Sequence, residues 1–260
     1  MVDSLKSWER EYYTDSDEDA FLFYAAFGDI PQDMPLNERK YRSKGVPDGF
    51  ELTNYDKVRH ADVIKDFFEG YVWEQLNDQN PSLARRIQQS PNCVVLSGSQ
   101  KNPETLDYLR DCVGLLTFFF DNGACAIYDP QMFHWWTREQ WRERLFDPAG
   151  PVPRHHVMIL FSEEPGSDEL FWVHTRGMRK FGRPDISVRL VGPDYQDAVI
   201  DLCNRFIEYQ AFGGVIPEGQ EVRMASLPPG GVAHRSGYVD DPDFNNVHIE
   251  IVWPTPGLKS

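Results

Sequence analysis

With 260 residues, of which 41% are hydrophobic and 13% aromatic, the chain carries enough apolar surface to offset chain entropy, which excludes a disordered polypeptide. Its 41 acidic against 26 basic residues leave a net charge of -15, a field that repels polyanions and argues against nucleic acid or anionic membrane as partners. No apolar run approaches the roughly 20 residues that span a bilayer, and the start MVDSLKSWEREYY lacks the pattern of a secretion signal, so a cytoplasmic protein is expected. The four cysteines, Cys93, Cys112, Cys125 and Cys203, are widely spaced in apolar segments, which suits buried thiols better than a disulfide framework or a zinc knuckle.

In chain order, residues 1–19 hold seven acids against two bases and read as an acidic, solvated lead-in. AFLFYAAF, residues 20–27, reads as a first buried strand, followed by a Pro/Gly-rich loop over 29–49. Ile64, Phe67, Phe68, Tyr71, Val72 and Leu76 recur at helical spacing and predict one amphipathic helix over about 58–77. Pro81 opens a shorter helix, SLARRIQQ, that Pro91 ends. CVVL at 93–96 is a strand. A helix from Pro103 aligns Leu106, Leu109, Val113, Leu116 and Phe120 and stops at Asn122-Gly123. ACAIY, 124–128, is a strand covered on both faces.

In HWWTREQW, Thr137 and Gln140 match a capping box, and Trp136 and Trp141 a hydrophobic staple. The aromatic cluster is therefore read as a helix start in preference to a ligand cage. The runs 156–161 and 170–175, joined by SEEPGSDE, form a hairpin, with 186–191 as its neighbour. Tyr195, Val199, Leu202, Phe206 and Tyr209 keep one face of a long helix. Strands are expected near 221–225, 231–236 and 247–253. This order implies an α+β fold, a mixed and largely antiparallel sheet packed with four to six helices, in a single domain over 20–260.

The signatures of nucleotide sites, serine hydrolases and zinc sites, GxGxxG, GxxxxGK[ST], GxSxG, HExxH and CxxC, are absent, so no cofactor or metal is expected. SGSQK, 97–101, follows a strand and precedes a helix, where backbone N–H groups could hold a phosphate; an ordinary polar turn is the simpler reading. DDPDFNN, 240–246, departs from a calcium loop at its sixth and twelfth positions, Asn246 and Val252.

HTRGMRKFGRPD concentrates four basic residues, Arg176, Arg179, Lys180 and Arg183, in an acidic chain. A short helix would align Arg176, Arg179 and Arg183 on one side, and the helix dipole would account for Lys180 and Arg183 near its C-terminal end. A hairpin register setting His155 opposite Arg176 and Val157 opposite His174 would gather His155, His174 and Arg176 on one surface; a one-residue slip would separate them. With Arg179, these are the candidate ligand-binding residues: histidines as proton carriers and arginines as anion contacts. His134, beside Tyr128 and Asp129, is a weaker candidate.

The strand, the Gly177-Met178 turn and FGRPDI after it, together with LLTFFFDNGACAIYDPQ before it, resemble the bacterial domain-of-unknown-function family 4261 over about residues 105–210. The resemblance implies an α+β cytosolic domain and brings no catalytic residue. The preferred functional expectation is a non-enzymatic binding or regulatory module that presents an acidic surface to a basic protein partner. The alternative is an enzyme acting on a small anionic ligand through a His/Arg pocket.

Overall fold

A computed structural model describes residues 5–31, 33–167, 169–254 and 258. The class is α+β, with two sheets and, among the described residues, seven α-helices. Three of these are single turns of four residues, so the packing helices are the four longer ones. No helix among the described residues is long and apolar enough to cross a membrane.

Two compact units divide the chain: Met1–Glu9, Phe21–Gln100 and Thr105–Val152 in the first, and Arg10–Ala20, Lys101–Glu104 and Pro153–Ser260 in the second. The chain passes from one to the other within strands Asp19–Gly28 and Asn92–Lys101, where strand composition conceals a boundary. The passage at Val152 lies in DPAGPVP, 147–153, whose Pro/Gly content is that of a linker.

In the first unit the five-stranded sheet comprises β1 (Asp19–Gly28), β2 (Phe50–Asp56), β3 (Asn92–Lys101), β4 (Ala124–Asp129) and β5 (His134–Trp136), in the order β2-β3-β1-β4-β5. Its small helices are α1 (Glu38–Tyr41) and α2 (Ala61–Ile64), followed by α3 (Tyr71–Gln79), α4 (Pro81–Gln89), α5 (Asp107–Asp121) and α6 (Arg138–Trp141). Helix α5 is buried all round from Tyr108 to Phe120. Gly114 within it is required by packing, since a Cβ there would lie 2.0 Å from the Tyr41 carbonyl oxygen. The capping box at Thr137 and Gln140 forms in both directions, and Trp136 meets Trp141 edge-on at 5.9 Å.

Two expectations are corrected in this unit, and one strand is added to those expected. The helix expected over 58–77 is α2, a 3-10 turn at Lys65–Phe68, and α3. Gly70 breaks it at φ 80°, and Phe67 and Phe68 pack on Phe27 at 5.5 and 5.8 Å while Trp73 packs on Phe68 at 4.9 Å. Each segment thus turns its own aromatics into one core. SGSQK is neither phosphate cradle nor turn: it continues β3, with Ser97 opposite Glu51 and Gly98 opposite Phe50. Its partner β2 went unread because FELTNYD buries only Phe50 and so lacks the alternation of a half-buried strand.

The second unit holds a six-stranded sheet of β6 (Met158–Glu163), β7 (Phe171–Arg176), β8 (Asp185–Val191), β9 (Glu221–Val222), β10 (Gly231–Ser236) and β11 (His248–Val252). Its order is β6-β7-β8-β11-β10-β9, and β8 and β11 run parallel while the other pairs are antiparallel. On one face Val173, Ile186, Val188, Ile249 and Ile251 form a core with Val199, Leu202 and Cys203 of α7 (Gln196–Ala211). Alternation puts Trp172, His174, Arg176 and His248 on the opposite face.

The lead-in is not simply solvated. Trp8 in the first unit and Arg10 in the second are both buried; Trp8 bonds backbone to backbone with Leu106, and Arg10 donates to the carbonyls of Pro103, Phe181 and Gln210.

All four cysteines are free thiols, with Cys93, Cys112 and Cys203 buried and Cys125 half-buried. Burial pushes the Cys93 and Cys203 thiols up to about 12 and raises Cys112 well above its usual value. Since the thiolate is the reactive form, one cysteine of the native protein, Cys125, should be alkylated at about pH 8, and the other three only after denaturation. Equal labelling rates at all four, followed by mass spectrometry, would contradict the burial described.

Candidate functional site

The basic stretch HTRGMRKFGRPD leaves the sheet at the end of β7, makes a 3-10 turn at Met178–Phe181, and enters β8. Met178 and Phe181 face inward with no exposed surface. Gly182 ends the turn at φ 59°, where a Cβ would press on the backbone of Glu18, Asp19 and Ala20 at 3.0 to 3.2 Å. Glycine is needed here for both conformation and close approach.

Helix-dipole stabilisation of Lys180 and Arg183, expected from the sequence, is replaced by something stronger. Lys180 is fully buried and donates to the His156 carbonyl at 3.0 Å. Arg183, 1% exposed, donates Nε to Gly214 O at 3.0 Å, Nη2 to Thr14 O and Gly213 O at 2.8 Å each, and Nη1 to Gly182 O at 2.8 Å and Ser16 Oγ at 2.7 Å. A planar fork with five donors suits such a cluster of carbonyls, which an ammonium could not cover.

Arg176 and Arg179 turn toward the loop 237–246. Arg176 Nη1 donates to Asp243 O at 2.6 Å. Arg179 Nη1 reaches Asn245 O at 3.2 Å and its Oδ1 at 3.3 Å. Asn246 donates to Arg183 O and to the buried Asp185 carboxylate, both at 2.9 Å. Within the loop, Asp241 N donates to Tyr238 O, Asn245 N to Asp241 O and Asp243 N to Asp241 Oδ1. The loop therefore caps a basic turn, chiefly through the backbone carbonyls of Asp243 and Asn245.

Phe244 anchors this loop on the sheet. Its ring stacks on His248 at 4.0 Å and lies 5.2 Å from His174, which stacks on Trp172 at 4.0 Å. The Trp172 Nε1 donates to Ser187, and Arg189 lies over the Trp172 ring at 4.2 Å while bonding Glu164. Gly237 packs against His248, since a Cβ there would lie 2.6 Å from Nδ1. The Nδ1 atoms of His174 and His248 have no hydrogen-bond partner among the described residues.

The candidate residues are thus partly assembled. His174 and Arg176 share a face of β7, and Arg179 joins them at the loop. His155 does not: it is half-buried in a 3-10 turn, Pro153–His155, outside the ladder. The register sets His174 opposite Leu160 and Arg176 opposite Met158, three positions from the one that would pair His155 with Arg176. The SEEPGSDE loop closes farther along the chain than assumed, so an odd slip removes the pairing. His134 lies opposite Asp129 in β4–β5 with its ring 4.3 Å from Trp136. Phe244 and His248 were missed, although an aromatic inside DDPDFNN is a signal that the loop is anchored. Among the described residues no group of three His, Cys, Asp or Glu is placed to hold a metal ion.

Burial keeps the two imidazoles of this face neutral. Burial, reinforced by Arg176 and Arg189, brings His174 down to about 4, and burial lowers His248 against the opposing pull of Asp241. Burial raises Asp185 to about 6 despite bonds from Asn246, Thr175 and Met178 N. Because the unfolded chain protonates His174 near 6.5 and the folded chain near 4, its neutral form stabilises the fold above about pH 6.5, and that stability is lost as pH falls toward 4. Replacing it, His174→Phe, should therefore flatten the fall in unfolding free energy between about pH 7 and 5 by roughly 2 kcal/mol. The Asp185 contribution has the opposite sign, being lost as pH rises through about 6, and is common to both proteins. Parallel stability profiles from denaturant melts across this range would refute the assignment.

No family model matches the chain, and neither curated proteins nor solved structures yield a match. The resemblance over residues 105–210 therefore rests on its short motifs.

Proposed function

We propose that the protein is a non-enzymatic binding module whose recognition element is the loop 237–243, GYVDDPD, offered to a basic protein partner. The observation that carries this reading is that Tyr238 and Val239 are 61% and 47% exposed on a loop whose following residues, 243–246, are held by Arg176, Arg179, Asp185 and His248. Solvent-facing apolar side chains on a preorganised loop lose little entropy on binding, and tyrosine is among the residues that dominate interface energetics. Asp240 and Asp243 flank them and are exposed, so a cationic surface is the complementary one. The net charge of -15 would steer such a partner over a longer range.

The alternative, a His/Arg pocket acting on an anionic substrate, has less to stand on. Arg176 and Arg179 donate to loop carbonyls and Asn245 Oδ1, and His174 lies under Phe244, neutral over most of the pH range. A cytosolic setting, expected from the sequence, suits the free thiols.

The test is affinity capture from the native host by immobilised wild-type protein and by a Tyr238→Ala, Asp240→Asn, Asp243→Asn variant. A basic protein retained by the wild type at about 0.05 M salt, released at about 0.5 M and absent from the variant's eluate is the expected outcome. Tyr238→Ala alone should weaken the association at least about tenfold. Identical proteins captured by wild type and triple variant, or retention indifferent to salt, would overturn the proposal.

A further inference from the structure

A cavity of about 220 Å3 lies in the second unit, bounded by the end of α7, the segment after it, β10, β11 and residues 16–18. Its walls are chiefly apolar, from Val215, Ile216, Ala233 and Ile249, and six polar residues line the rest: Ser16, Glu18, Arg183, Gln210, Glu218 and Arg235. We propose that it is a binding site for a small uncharged molecule with an apolar body and a hydrogen-bond donor.

Gln210 carries the argument. Its side chain has no exposed surface, and its Nε2 donates to Pro184 O at 3.2 Å. A proline carbonyl only accepts, so the amide orientation is fixed, and Oε1 is left without a hydrogen-bond partner among the described residues. A buried amide oxygen without a donor costs about 1–3 kcal/mol, which a ligand N–H or O–H would recover.

The charges around the cavity are already engaged. Arg183 spends its fork on four carbonyls and the Ser16 hydroxyl. Glu18 is ion-paired with Arg235, while Glu218 accepts from Arg235 N and contacts His234. An anion would find the buried guanidinium occupied, and a cation would have to displace Arg235 from Glu18. An uncharged ligand needs neither. The volume equals about seven waters, room for a molecule of about ten non-hydrogen atoms.

Indole is the probe: an apolar body of fitting size with one N–H donor. 1-Methylindole keeps the shape and removes the donor. Ligand-observed NMR with the full chain should show indole binding in the low-millimolar range or tighter, about what so few atoms can supply, and 1-methylindole should bind at least about tenfold more weakly. Gln210→Met should bind both equally. Val215→Phe, which puts a larger apolar side chain on the cavity wall, should bind neither while melting as the wild type does. Failure of the wild type to bind indole, equal binding of indole and 1-methylindole, or undiminished indole binding by Val215→Phe would each overturn the proposal. The first two comparisons use the unmodified protein and do not depend on any variant folding. None of these residues belongs to the loop 237–243, so this proposal and the docking proposal fail independently.

Discussion

The second unit depends on a single buried cation. The guanidinium of Arg183 collects carbonyls from Thr14, Gly182, Gly213 and Gly214 and the hydroxyl of Ser16, from three separate chain segments, two of which also meet through Thr14 N to Gly213 O. Buried carbonyls without donors are costly, and here one residue answers most of the debt. Arg10 and Lys180 extend the pattern, reaching Pro103, Phe181, Gln210 and His156 carbonyls. An acidic protein thus turns several of its cations inward as braces.

From that brace the candidate interface follows in steps. The Arg183 carbonyl and the Asp185 carboxylate both accept from Asn246, and Asp185 also takes Thr175 and the Met178 N–H. The turn between β7 and β8 is thereby locked to the end of loop 237–246. Arg176 and Arg179 hold the loop's middle, and Phe244 sets it on two neutral imidazoles. Tyr238 and Val239 lie on the exposed part of this loop. Local order in the loop and neutrality of His174 are two expressions of the same burial.

Much of the architecture was legible, because helices α4, α5 and α7 and strands β1 and β4 obey clear periodicities bounded by Pro, Gly and caps. The rest was hidden for identifiable reasons. Strand β2 lies at a sheet edge with one buried residue and no alternation. Gly70 breaks a helix whose apolar spacing continues across the break, so periodicity alone runs through it. The hairpin register depends on how SEEPGSDE closes, which spacing does not fix, and it decides that His155 stands apart from His174 and Arg176. The basic stretch was recognisable as unusual, but the acceptors of Arg183 come from as far as 169 residues away. Charge along a sequence does not say whether it points in or out.

The most direct test of this account is the unfolding free energy of Arg183→Met, which keeps the length and apolar stem and removes the donors. The account expects a loss of about 3 kcal/mol or more, because several buried carbonyls lose their donors together. A variant that unfolds within about 0.5 kcal/mol of the wild type, as an ordinary surface substitution would, would contradict the claim that this cation holds the second unit together.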